Sequence, residues 1–168
     1  TAFFLVGGFM AVWVILYGVV QANAPRLIGA RSREKSELIT LAGPYAFTLA
    51  VVPIGLALIT FLTGAANPWL TGVLVVGLLV FGALFALNSA LHSYLILAFT
   101  DASRVTLDVG FYYMANAAGR LLGTLLSGIS YQLGGLPLCL AAAGVMLIVS
   151  GFGAGRLQVP PQRHHKSA

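Results

Sequence analysis

The chain has 168 residues, of which 59% are hydrophobic and only 8% charged, with a net charge of +5 and a mean hydropathy of +0.95. Soluble domains carry about 25% charged residues, so the composition excludes an ordinary soluble globule and reads as an integral membrane chain. Cys139 is the only cysteine, which excludes an intrachain disulfide and a thiolate metal cluster.

A bilayer core of about 30 Å is crossed by about 20 mostly apolar residues in helical form, and five such spans can be drawn. The first is expected over residues 2–23, stopping before Pro25, which cannot continue the hydrogen-bond ladder. It begins directly in an apolar stretch, without the basic start and cleavage site of a signal peptide, as expected of a fragment. The second, residues 38–63, contains Pro44 and Pro53, and a kinked helix is expected there. The third, residues 68–99, is too long for a straight perpendicular crossing and calls for tilt, a break near Asn88 or extension past the bilayer. The fourth and fifth, residues 105–133 and 136–155, are joined by the tight pair Gly134 and Gly135, and residues 156–168 form a basic tail.

The basic residues sort by side. Arg26, Arg31, Arg33 and Lys35 fall between spans one and two, Arg104 between three and four, and Arg156, Arg163 and Lys166 after span five. The connections "GAANP" and "GG" carry none. Short cytoplasmic loops collect Lys and Arg, so this alternation places the first end outside and the carboxyl tail in the cytoplasm. It also accounts for the positive net charge without a nucleic-acid surface. His164 and His165 read as solvated tail and not as a metal site.

Arg120 is left over, in the middle of span four. It lies about 20 Å along the helix from the cytoplasmic start of that span. A central arginine costs about 2.5–3.5 kcal/mol on insertion scales, and such residues face a bundle interior or a wet cavity. Tyr113, Asn116, Arg120, Thr124 and Ser127 share one narrow arc at helical spacing, beside a small-residue stripe of Ala115, Gly119 and Gly123 that permits close helix approach. The four acids lie elsewhere: Glu34 and Glu37 in the first loop, Asp101 in the second, and Asp108 near the start of span four, where it suits the helix terminus. An anionic ligand is the economical counter-charge, because a guanidinium fork matches carboxylate and phosphate-like oxyanions.

Span one adds Trp13, Tyr17 and Gln21 at i, i+4 and i+8, and span three adds Asn88 and His92 at i, i+4 with Ser89 and Tyr94 nearby. Histidine titrates near neutral pH, so His92 is a candidate for proton coupling; its blander role is a hydrogen-bonded packing residue. Spans two and five have few polar groups and are expected at the lipid-facing periphery. The substrate-binding candidates are therefore Arg120, Asn116, Tyr113, Thr124, Asn88, His92, Tyr17 and Gln21, with no catalytic and no metal-binding residues.

The five spans, with polar faces on the first, third and fourth and a basic loop "APRLIGARSREK" after the first, resemble the last five helices (8 to 12) of a twelve-helix major facilitator superfamily transporter. That loop departs from the family's Gly-x-x-x-Asp-Arg form by lacking the acid. The strings "YGVVQANAPRL", "FGALFALNSALHSYLI" and "VTLDVGFYYMANAAGRLLGTLLSGISYQLGG" are similar to the organoarsenical-efflux permeases of bacterial arsenic-resistance operons, the ArsJ type. The resemblance implies an all-α membrane bundle in the bacterial inner membrane that works with the amino-terminal half of the same transporter. It also implies export of 1-arseno-3-phosphoglycerate, made from arsenate by a partner glyceraldehyde-3-phosphate dehydrogenase. The alternatives are export of another phosphate ester, carboxylate or drug, and a non-transporting membrane scaffold. An enzyme is disfavoured, since no triad, paired carboxylates or metal cluster stands at bilayer depth in the sequence.

Overall fold

The computed structural model describes residues 2–29, 34–64, 67–100 and 105–156. Arg31, Arg33, Asp101, Arg104 and the tail residues Arg163, His164, His165 and Lys166 lie outside them. The described residues are helical apart from short connections: α1 (Ala2–Leu27), α2 (Lys35–Thr63), α3 (Pro68–Phe99) and α4 (Val105–Ala154). All four are long and apolar enough to cross a membrane.

Local chemistry explains the boundaries. α1 runs through Pro25, past the end expected for it. The missing proline N–H falls in the last turn, where the ladder is ending in any case. Gly29, at φ 68°, closes the turn by donating from its N–H to the Arg26 carbonyl at 3.2 Å. α2 continues unbroken through Pro44 and Pro53. α3 opens with Asn67 as its cap, the side-chain oxygen accepting from the Leu70 N–H at 2.8 Å, and Pro68 follows at the first helical position. The helix is also continuous through Asn88, so the break considered there is absent. Its 32 residues reach about 48 Å, which leaves tilt or extension to absorb the excess over the bilayer core.

α4 spans 50 residues but is not one rod. Gly134 (φ −148°, ψ 19°) and Gly135 (φ 66°, ψ −157°) are non-helical, and the second conformation is open essentially to glycine alone. Ser127 Oγ and Cys139 Sγ are 3.2 Å apart, although 12 residues of straight helix would separate them by about 18 Å. Farther out, Tyr112 and Ser150 line one cleft. The chain therefore reverses at the glycine pair, and residues 105–133 and 136–154 form an antiparallel hairpin.

The contacts fix the directions of all five segments. Trp13 meets Leu78 and Gly82, Tyr17 meets Phe85, and Pro25 and Ile28 meet Ala90 and Leu91, so α1 and α3 run parallel. Leu56 meets Gly77, and Leu38 and Ala42 share a cluster with Leu91 and Leu95, so α2 runs against α3. Ser93 meets Tyr112, so residues 105–133 also run against α3. Gly43 lies against Gly151 and Gly155, and Ile54 against Gly144, so residues 136–154 run against α2. The segments thus alternate in direction, and the ends of α1, α3 and α4 gather at one end of the bundle with the start of α2.

That end holds the main core: Ala24, Ile28, Leu38, Ile39, Ala42, Leu91, Leu95 and Ala154 are all buried. α2, expected at the periphery, is the most buried helix, because α3 covers one flank and residues 136–154 another. Its remaining face, with Val51, Leu58, Phe61 and Leu62, is exposed. Glycine lets the backbones close up where Gly43 faces Gly151 and Gly155.

Candidate functional site

The third crossing supplies the floor of a polar cleft. Asn88 and His92 stand one turn apart on α3, so both present to the same side. Residues 105–133 cross in front of them and bring Tyr112, Ala115 and Asn116, while the returning segment adds Ser150. Phe85 and Ser89 complete a cleft of about 250 Å³. Such a volume approaches the lower end of small-molecule sites, at about 300 Å³.

Hydrogen bonds set the orientation of these groups. His92 Nδ1 lies 2.8 Å from the Asn88 backbone oxygen. A carbonyl only accepts, so Nδ1 is the donor and Nε2 is left for other partners. The Asn88 side-chain oxygen is buried and has no hydrogen-bond partner among the described residues. The Tyr112 hydroxyl is 3.4 Å from Ser93 Oγ, which anchors the tyrosine to α3.

Arg120 stands outside this cleft. It lies four residues beyond Asn116, about 6 Å along the axis and about 40° around it, on the exposed face of the helix. Among the described residues nothing hydrogen-bonds or ion-pairs with its guanidinium. Gly119 and Gly123, expected to admit a neighbouring helix, have nothing within 4 Å of where a side chain would begin. The whole face is uncovered by this chain's other helices.

The sequence-derived site residues therefore separate into groups. Asn88, His92 and Asn116 come together in the cleft. Tyr113 is 66% exposed, stands apart from the cleft and packs on Tyr112 with ring centroids 5.7 Å apart. Thr124 is poorly placed as a donor to a ligand, because its hydroxyl donates to its own helix, 2.6 Å from the Arg120 carbonyl and 3.0 Å from that of Leu121. Tyr17 stacks on Trp13 at 5.6 Å and meets Phe85 at 6.0 Å, so it supports the cleft wall from behind. Gln21, one turn farther along α1, is half-buried and does not line the cleft.

Two polar cleft residues, Tyr112 and Ser150, escaped the sequence reading, as did the apolar Phe85. Tyr112 and Tyr113 both lie within one turn of Asn116, and helical spacing alone favours neither. Ser150 sits in an apolar span whose direction only the reversal at Gly134 and Gly135 reveals. Comparison with protein-family models, with curated proteins and with solved structures gives no match.

Proposed function

We propose that this chain is part of a membrane efflux transporter for a small organic oxyanion, working by alternating access. The carrying observation is an arginine with no protein counter-charge among the described residues, on a membrane-length helix and one turn beyond Asn116, which lines a polar cleft between the helices. In a low-dielectric setting an arginine without a partner attracts an anion strongly, and its planar fork suits phosphate-like and carboxylate groups. The substrate oxyanion would pair with Arg120 while Asn116, Asn88 and His92 orient the rest of the molecule. Release follows when the helices rock about the site.

The sequence resemblance narrows the proposal to a major facilitator permease of the ArsJ type. Its cargo is then 1-arseno-3-phosphoglycerate, its setting the bacterial inner membrane, and its tail cytoplasmic. The alternating directions of the five segments support that arrangement, because they bring Arg26 at the end of α1 and Arg156 after α4 to the same end of the bundle. Export of another phosphate ester, a carboxylate or a drug is the alternative within the same class. A scaffold reading draws on the uncovered Gly119 and Gly123 face, which offers a partner helix a close approach.

Arsenate tolerance and organoarsenical release into the medium test the proposal, in cells carrying the full protein with a glyceraldehyde-3-phosphate dehydrogenase. Release that depends on the protein and falls in Arg120→Ala supports it. A protein that changes neither tolerance nor release contradicts the arsenical cargo, and a scaffold leaves both insensitive to Arg120.

A further inference from the structure

A transported oxyanion neutralises Arg120 only while it is bound. Between those events the guanidinium stands well inside a membrane-length helix, and no described residue meets it. Of the described acids, Glu34 and Glu37 are exposed at the start of α2, and Asp108 lies three turns back along the same helix, about 18 Å away. A charge at that depth is costly, and membrane proteins meet the cost by pairing it or by opening it to water. The surroundings of Arg120 favour pairing. Gly119 directly precedes it and Gly123 follows within the next turn, and neither has anything within 4 Å of where a side chain would begin. Leu121, Leu122 and Leu125 alongside are exposed. An apolar flank with bare backbone at its centre suits a packed helix better than a wall of water.

We propose that this face docks a membrane helix from outside the described residues, and that the helix carries an aspartate or glutamate at the depth of Arg120. Backbone inside a bilayer must satisfy its own hydrogen bonds, so the covering element is helical. The two glycines let it come close enough for a carboxylate to reach the guanidinium fork. A second copy of this chain is the wrong occupant. Two-fold pairing through the same face sets two Arg120 side chains against each other at one depth, where like charges repel with little solvent to screen them. Charge complementarity therefore selects a partner of opposite sign. The docked helix extends the oxyanion reading to the substrate-free state, in which carboxylate and substrate alternate at one guanidinium, but it does not depend on what is transported.

The sign of a stability change separates a paired arginine from a bare one. Arg120→Met removes the charge and keeps an unbranched apolar stem. With a carboxylate opposite, the variant strands that acid in the membrane, and the unfolding midpoint of the substrate-free full protein in neutral detergent should fall by about 5 °C or more. Arg120→Lys keeps the charge and should lose less. A bare arginine gives the opposite sign, because its removal relieves an insertion cost, so an unchanged or raised midpoint in Arg120→Met overturns the proposal. Gly123→Leu places bulk where the helix docks and should lower the midpoint, whereas Gly110→Leu, at another open glycine of the same segment, should not. Equal midpoints for these two variants overturn the docking face. A loss in Arg120→Met that appears only when anionic lipid is added assigns the face to a lipid phosphate and overturns the helix. Uptake of the arsenate ester keeps the two readings apart. A raised midpoint with lost uptake leaves the oxyanion site without the carboxylate, and a lowered midpoint with full uptake leaves the carboxylate without the oxyanion site.

Discussion

Gly82→Ala probes how α1 is held on α3. A methyl at Gly82 would lie 2.6 Å from Trp13 Nε1 and 2.8 Å from Cε2, inside any acceptable contact. The indole cannot simply swing aside. Its N–H donates to the Leu78 carbonyl at 2.9 Å, and its face stacks on Tyr17 with planes 16° apart. Helix propensity favours alanine over glycine by about 1 kcal/mol. Against that, overpacking costs about 1–3 kcal/mol, and weakening an interhelical hydrogen bond in a membrane protein costs about 0.6 kcal/mol. The expected net result is a loss of about 1–2 kcal/mol. Gly72→Ala, on the same helix with nothing within 4 Å, should instead be neutral or stabilising by up to about 1 kcal/mol. Equilibrium unfolding of the full protein in mixed micelles, followed by circular dichroism, measures both. Adding Trp13→Ala removes the obstacle, so the double variant should recover at least about 1 kcal/mol relative to additivity. The reasoning is refuted if Gly82→Ala matches Gly72→Ala, or if its loss persists without the tryptophan.

The remaining predictions concern the reversal and the site. Gly135→Ala places a side chain at φ 66° and ψ −157°, and the same unfolding measurement should register a loss of about 1–3 kcal/mol. Ser127→Cys should form a disulfide with Cys139 under mild oxidation, seen as loss of maleimide labelling, because the two side-chain atoms are already 3.2 Å apart; full labelling would contradict the hairpin. Replacing Thr124 by Val should change substrate export less than about 3-fold, since the threonine hydroxyl is already committed to its own helix. A transport assay showing a loss as large as that of Arg120→Ala would return Thr124 to the site.

Much of the helical plan was legible in the sequence because membrane-length apolar runs and prolines and glycines at their ends leave few options. Pro68 after Asn67 announced the start of α3, and the glycine pair announced the reversal in α4. Pro25 misled, because a proline in a last turn removes a hydrogen bond of little value. For the site, the i, i+4 spacing of Asn88 and His92 put both on one side of α3, where they share the cleft with Asn116, whereas Tyr113, Arg120 and Thr124 of the same polar arc do not line it. Helical periodicity could not say that Tyr112 and not Tyr113 turns toward α3, since both flank the Asn116 position. Nor could it show that the Thr124 hydroxyl bonds backward to its own helix, or that Ser150 returns to face Asn116. The peripheral assignment of α2 rested on its lack of polar groups. Yet apolar helices fill a membrane bundle's interior as readily as its rim, and α2 packs between two neighbours.

Transport itself gives the most direct test. Everted membrane vesicles containing the full protein should take up the arsenate ester generated outside them by glyceraldehyde-3-phosphate dehydrogenase. Arg120→Ala should lower that uptake by about 10–100-fold, as expected for loss of a charge-assisted pair, and Arg120→Lys should retain part of it. Uptake that is equal in all three proteins would show that the guanidinium meets no passing anion, and the account of this chain as an oxyanion exporter built around Arg120 would be wrong.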